Sequence, residues 1–469
     1  MLEVADNQIS PRGVYASMIP DNVPETTMID QFFERLQMGR LLQQAGMTKQ
    51  GGVSARQLLR FLLGLVFTQR NFYRLLRNPD PDTPKKDTVY RFLASPRFNW
   101  RRLLLMTSLA ITQWLQTLVS EDREAVFVID DSLYDRSRSK KVELLARVYD
   151  HVAHAYRRGF RLLTLGWSDG STFLPVAFSL LSSEQAKNRL RPVDARIDKR
   201  TIGYRRRQES WQKSPDVVLQ LLQEAQAAGL KARYGLFDSG FAFPRLPRQI
   251  VEERHWHVIA MVKAMKTVKY TFAGKRYTLT ELCTHLKKRP GKAKVLASVA
   301  VLRETEARTQ PVQLVFVRDR RRSTKKWLAL ITTDTTLTSD EVIRLYGKRW
   351  DIEVFFKTAK SVLNLVHEFP GRSYDHVFAH TTIVFLRYQL LAVAARDATD
   401  PRTIGTLFWA MCDEVADLRF VEAWHILIEA LREALSVELR LSDTQIDRLL
   451  SVFFAKIPAS LRHKLAISA

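Results

Sequence analysis

Residues 125–132 read Ala-Val-Phe-Val-Ile-Asp-Asp-Ser, an apolar run that ends on two adjacent acids and a hydroxyl. A short run rich in β-branched and aromatic residues is of strand type, and it marks a change of period, because the chain ahead of it reads as helical. There Ser54 can cap a long amphipathic helix over residues 55–77, whose apolar positions recur every three or four residues. The breaker-rich stretch Asn-Pro-Asp-Pro-Asp-Thr-Pro-Lys-Lys, residues 78–86, ends that helix. A second helix is expected to start at Asp87 or Thr88. Flanked by Lys85, Lys86 and Arg91, this pair is a candidate DNA-docking unit. The same segment also fits a helical bundle with a solvated basic edge.

Beyond residue 132 comes a basic polar loop with Arg136, Arg138, Lys140 and Lys141. Two further strands, 160–167 and 172–181, flank Ser168-Asp169-Gly170-Ser171, a strong hairpin signal. Residues 186–210 read as a basic loop with nine Lys or Arg against three acids. A helix over 215–228, stopped by Gly229, leads to a strand over 233–237 that ends at Asp238. A helix over 247–254 and a strand over 257–263 follow. Strand, strand, strand, helix, strand, helix, strand is the order of an RNase H-like core up to its last helix. Residues 265–330 then break the series with basic strand-type segments at 269–272, 276–279, 294–303, 312–318 and 327–332. A helix resumes at Ser339 and runs past Lys360, and residues from about 375 onward are helical again.

The expected fold class is therefore α/β: an RNase H-like catalytic core interrupted by a β-rich insertion, with helical N- and C-terminal regions. The expected divisions are a helical DNA-binding domain over 1–118, the first part of the core over 119–266, and the insertion over 267–332. The last part of the core, with its long helix, covers 333–395, and a helical C-terminal region covers 396–469.

Composition narrows the partner. With 73 Lys and Arg against 49 acids the net charge is +24, a field that attracts polyanions. Charge alone would also suit ribosomal, chromatin and anionic-membrane proteins. The two cysteines, Cys283 and Cys412, offer neither a zinc motif nor a disulfide framework. His151, His154, His255 and His257 lack partners at metal-ligand spacing. No Gly-x4-Gly-Lys-Ser/Thr occurs, which argues against a P-loop ATPase. The start of the chain has no apolar segment after a basic one, and the apolar stretch 383–395 is interrupted by Arg387 and too short to span a bilayer. An intracellular protein without a membrane partner is expected.

The chemistry is carried by Tyr346-Gly-Lys-Arg-Trp-Asp-Ile-Glu-Val-Phe-Phe-Lys-Thr-Ala-Lys360. Helical spacing sets Tyr346, Trp350, Glu353, Lys357 and Lys360 on one stripe with Arg349 beside it, opposite an apolar face of Ile352, Phe355, Phe356, Ala359 and Leu363. A solvated face would mix several acids with the bases and would seldom hold Trp and Tyr. Asp130 and Asp238 each follow a short apolar strand, and Glu353 follows both. Three carboxylates converging on one sheet edge repel one another unless cations offset them. Two divalent cations would do so, since hard ions prefer oxygen ligands, and a pair can drive in-line phosphoryl displacement.

Here the chain resembles the IS4-type DDE transposases of bacterial insertion sequences. The resemblance rests on Tyr-x2-Arg-x3-Glu-x6-Lys, met by Tyr346, Arg349, Glu353 and Lys360, on Asp130-x-Ser132, and on Asp238 in Leu-Phe-Asp-Ser-Gly-Phe. It extends to Gly-Trp-Ser-Asp-Gly-Ser at 166–171 and covers about residues 85–390. It implies Asp130, Asp238 and Glu353 as catalytic metal ligands for two Mg²⁺ ions, with Mn²⁺ able to substitute. It implies cut-and-paste transposition through nicking, a hairpin intermediate and strand transfer. The partners would be double-stranded DNA, as terminal inverted repeats and as target, and a second copy of the chain when ends are paired. The setting would be the bacterial cytoplasm at the nucleoid. Asp131 adjoins Asp130, and the hydroxyl two positions on favours Asp130. In the resembling family a Trp of the insertion stacks on an extruded base. Trp327 is the candidate here, following a basic run that includes Arg320, Arg321 and Arg322, although it also fits the core of its strand. Two rivals remain: a nuclease or resolvase of the same fold without strand transfer, and an inactive DNA-binding relative.

Overall fold

Thr27 and Ser54 both precede apolar periodic runs, and both cap helices through a side-chain oxygen that accepts from the backbone three residues on. The computed structural model describes residues 27–458 apart from 71, 78, 80–82, 119–122, 151–152, 290–292, 306–307, 320–326 and 397–402, with the side chains of 417–419, 421–423 and 425–426 also left aside. The first helices are α1 (Met28–Arg35), α2 (Met38–Gln44) and α3 (Ala55–Gly64). The helix expected over 55–77 stops at Gly64. A 3₁₀ turn, Leu65–Thr68, follows it, then Gln69 in the left-handed region at φ 53°, then a short α4 (Phe72–Leu75). The reason lies in the apolar content: Leu58, Leu59, Leu62, Leu63, Leu65, Val66 and Phe67 are all buried, too many for the single stripe of a straight helix. Next, α5 (Lys86–Leu93) begins ahead of the expected Asp87, which places that acid in the first turn, where a negative charge suits the helix dipole. The long α6 (Trp100–Thr117) completes the N-terminal region.

The sheet opens with β1 (Val126–Asp135), β2 (Ala146–Asp150), β3 (Ala155–Ser168) and β4 (Phe173–Leu181). Here β1 continues past the apolar run, because antiparallel pairing with β3 carries it from Val126 to Asp135. Asp130 and Asp131 therefore stand within a strand and not beyond it. The basic stretch 186–210 holds a helix, α7 (Ile202–Glu209). Its Arg206 and Arg207 are buried in ion pairs with Asp375, both at 2.8 Å, and Arg207 also pairs with Glu143 at 2.6 Å. Then come α8 (Ser214–Ala227), β5 (Tyr234–Phe237), α9 (Arg245–Arg254) and β6 (His257–Val262).

The strand-rich stretch contributes β7 (Tyr270–Phe272), β8 (Lys275–Tyr277), a helix α10 (Leu279–His285) capped by Thr278, and β9 (Val295–Thr305), β10 (Arg308–Arg318) and β11 (Trp327–Thr332). The strand expected over 276–279 thus ends at Tyr277, and the capping box of Thr278 and Glu281 turns the chain into helix. Because β11 pairs antiparallel with β6, these strands continue the same sheet. Its order is β2-β3-β1-β5-β6-β11-β10-β9-β7-β8 with β4 also on β3; the β1–β5 and β5–β6 pairings are parallel.

The remaining helices are α11 (Ser339–Gly347), α12 (Trp350–Ser361), α13 (Tyr374–Ala394), α14 (Ile404–Val437) and α15 (Asp443–Lys456). Among the described residues α13 is the one helix long and apolar enough to cross a membrane, and it is almost wholly buried inside the protein. One face meets β4, where Phe178 stacks on Phe378 at 4.4 Å. The N-terminal helices pack around the remainder, and one continuous apolar core runs from Ile29 to Cys412. The result is a mixed α/β architecture with a mixed sheet and helical N- and C-terminal regions, consistent with an RNase H-like nuclease fold.

Candidate active site

Parallel pairing between β1 and β5 ends with Ile129 beside Phe237. Asp130 and Asp238 are the next residues along the chain, so register brings them side by side where the parallel pairing stops, midway along β1 and just past the carboxyl end of β5, the side on which open α/β sheets bind ligands. Burial pushes the Asp130 carboxyl up to about 7, reinforced by the charges of Asp238 and Glu353 and opposed by Arg349. Arg349 spans two of the acids. One terminal nitrogen donates to Asp130 Oδ2 at 3.2 Å and the other to Glu353 Oε1. The Arg349 guanidinium carbon lies 5.8 Å from the centroid of the Tyr346 ring, and burial pushes the Tyr346 phenol up to about 12. Asp238 accepts the backbone N–H of Gly240 at 2.7 Å.

The helix expected to run unbroken from Ser339 is two helices. At the joint, the N–H groups of Lys348, Arg349 and Asp351 donate to the carbonyls of Leu345, Tyr346 and Lys348, three residues back and not four. The joint is tied down from outside. Lys348 Nζ donates to the carbonyls of Glu124 at 2.5 Å and Asp169 at 3.2 Å, and the Ser168 hydroxyl donates to Asp351 Oδ2 at 2.7 Å. Gly170, at φ 92°, lets the β3–β4 turn pass close to Lys348, whose Cε would lie 3.0 Å from any Cβ there. Tyr346 therefore belongs to α11 and not to the stripe of α12. The apolar face of α12 is buried as expected, with Ile352, Phe355, Phe356 and Ala359 inside and Leu363 just beyond. Sequence reading singled out the 166–171 hairpin but not its role as the anchor of this turn.

A family model described as a DDE superfamily endonuclease matches residues 50–323, more than half of the chain. The chain belongs to the DDE superfamily endonucleases. The match includes Asp130 and Asp238 with their strands and ends ahead of Glu353. No curated protein matches the chain.

The remaining expected residues of this endonuclease are spread more widely. Successive side chains of a strand face opposite ways, so Asp130 and Ser132 share one face of β1 and Asp131 takes the other. Lys360 Nζ donates to Ser132 Oγ at 2.6 Å on the first face, and Arg161 of β3 forms an ion pair with Asp131 on the second. Trp350 is half exposed at 51%, and Lys357 is exposed one helical step beyond Glu353. Trp327 is half-buried at the start of β11, edge-on to Phe316 at 5.3 Å. Lys85, Lys86 and Arg91 are exposed on or next to α5, which packs on α13. Arg320, Arg321, Arg322 and His151 lie outside the described residues.

Among the described residues no group of three or more His, Cys, Asp or Glu is close enough to hold a metal ion as it stands, and Arg349 supplies positive charge between Asp130 and Glu353. The donor set still fits hard cations. The donors are carboxylate oxygens; burial is the main cause of the elevated Asp130 carboxyl, and the charges of Asp238 and Glu353 that add to it are ones a divalent ion would offset.

Proposed function

We propose that this endonuclease is an IS4-type transposase, excising an insertion sequence at its terminal inverted repeats and joining it to target DNA. The observation that carries this reading is the bridge made by Arg349, which holds Glu353 of α12 against Asp130 of β1, next in register to Asp238 of β5. Asp130, Asp238 and Glu353 would hold two Mg²⁺ ions, with Mn²⁺ able to substitute; when bound, such a pair activates a water or 3′-hydroxyl and stabilises the leaving oxygen of an in-line displacement. Asp130 rather than Asp131 takes this role, because Asp131 is neutralised by Arg161 on the other face. Lys360, Lys357, Arg349, Tyr346 and Trp350 would grip the strand being cut. Trp327 and Arg320, Arg321 and Arg322 would hold the terminal bases through a hairpin step, and Lys85, Lys86 and Arg91 would dock the end. The divisions at 118, 266, 332 and 395 would separate these tasks, and paired ends would bring two copies together.

The test is end cleavage and joining on DNA carrying the flanking inverted repeats, with Mg²⁺. Ala at Asp130, Asp238 or Glu353 abolishes cleavage and spares binding, since removing a metal ligand disables chemistry more than phosphate contacts. Asp131→Ala keeps activity. If all four variants cut normally, the mechanism is wrong. A second reading, hydrolysis without strand transfer, is favoured by the family description, which names an endonuclease. Nicked DNA with no joined product would select it.

A further inference from the structure

Strand β3 outlasts β1. At Gly159 it pairs with Asp135 on one edge and Ala146 on the other, and beyond that point it continues with β2 alone as a two-stranded ribbon. Gly159 marks the transition, since a Cβ there would lie 2.2 Å from the carbonyl oxygen of Tyr134. In the ribbon Arg147 stands directly opposite Arg158, and Tyr149 directly opposite Tyr156. All four are exposed, Tyr156 at 69%, and the two tyrosines meet edge to face at 5.3 Å. Like charges directly opposite each other weaken a strand pair. Among the described residues neither guanidinium has an acidic partner, whereas the neighbouring Arg157 pairs with Asp150 at 3.8 Å.

Register fixes which way this face looks. Asp130 pairs with Thr164, Ser132 with Leu162 and Tyr134 with Phe160; alternation then sets Arg158 and Tyr156, with their partners Arg147 and Tyr149, on the same face as Asp130 and Ser132. Lys360, bonded to Ser132, stands on that face. From Thr164 to Arg158 is a span of roughly 20 Å along the strand, or about six base pairs of duplex.

We propose that the β2–β3 ribbon grips the phosphate backbone of duplex DNA about six base pairs from the bond being cut, with Arg147 and Arg158 on phosphates and the tyrosines alongside. Opposed arginines gain from a polyanion between them, and Arg and Tyr both serve as backbone contacts that carry no sequence information. This assignment rests on reading the acids as a DNA-cutting centre.

The experiment measures affinity for a duplex of mixed sequence across a salt series. Each phosphate contact adds about 0.9 to the slope of log affinity against log salt, so R147A/R158A should lower the slope by about 1.8. Between about 50 and 200 mM salt that makes the fall in affinity roughly tenfold shallower than for the parent. R147K/R158K, which keeps the charges, should keep the slope. A slope unchanged in R147A/R158A overturns the ribbon assignment, as does a loss of slope in R147K/R158K equal to that of the alanine pair. The two readings separate cleanly. A protein whose slope falls as expected but which never cuts DNA with Mg²⁺ retains the ribbon and loses the catalytic reading; one that cuts with an unchanged slope does the reverse.

Discussion

A carboxyl held near neutrality beside two others makes residue-scale energetics depend on pH and on cations. Asp130 takes up its proton at about 7 in the folded protein, above the ordinary carboxylate range. Between those values the folded state binds more protons than the unfolded, so this contribution to stability is present at low pH and is lost as pH rises through 7. Asp130→Asn should therefore melt above the parent at pH 8 without divalent ions, by at most about 4 kcal/mol. Equal melting would count against the crowded-acid picture. His376 works in the opposite sense. Burial, then the neighbouring His380 and Arg136, push its imidazole down to about 3, so its contribution is present above the ordinary histidine range and is lost as pH falls from about 6.5 toward 3. His376→Phe should flatten the stability profile across that window in a series of chemical denaturation curves, and an unchanged profile would assign the acid sensitivity elsewhere. Asp130 and Asp238 stand out in the sequence because each follows a short apolar run, although β1 continues through Asp130 to Asp135. What the sequence could not display is that register separates the two adjacent acids, with Asp131 paired to Arg161 on the face opposite Asp130.

At the scale of elements, α12 is a carrier whose position depends on its buried side. Phe355 meets the rings of Phe385 and Tyr388 at 4.9 Å and of Phe173 at 5.6 Å. Phe355→Ala should cost about 3–5 kcal/mol in a urea titration, and a cost under about 1 kcal/mol would mean that the helix is held by other contacts. The joint ahead of it offers a gentler test. Asp351→Asn weakens the tie to Ser168 without emptying the core, so cleavage should fall while the melting temperature holds. Undiminished cleavage would make the joint a spectator. The apolar face of α12 was legible from helical spacing, but the joint was not. Lys348 finds its two carbonyls 224 and 179 residues away along the chain, and no local pattern reports partners so remote. The 55–77 run failed for a related reason: its periodicity is helical, yet its excess of apolar residues demanded burial on more sides than one helix offers.

Over the whole molecule, Arg387 closes a buried junction. It pairs with Glu368 at 2.7 Å and donates to the carbonyls of Leu62 at 2.5 Å and Leu63 at 3.2 Å, so the end of α3 is fastened to α13. Removing one partner of a buried pair typically costs about 3–5 kcal/mol. Arg387→Ala should lower the stability of the N-terminal helices and the sheet together, seen as coincident far-ultraviolet and tryptophan transitions that both move down. Transitions that separate would show that the two regions fold apart. Composition and element order made the α/β class and its helical flanks legible, whereas the weaving of the N-terminal helices into the main core, and the separate small core of Ile428, Ile446, Leu450, Phe454 and Ile457 in the C-terminal region, depended on contacts the sequence does not display. One last consequence follows from β3, whose fourteen residues reach from the turn that anchors Lys348 to the ribbon beyond Gly159. An unbroken strand is a ruler. Lengthening the ribbon by two residues on each strand would shift the arginines outward by roughly 7 Å, about two base pairs, and keep their aim. A single added residue would turn them to the far side of the sheet, so the footprint on DNA would change in steps and never by a continuous slide.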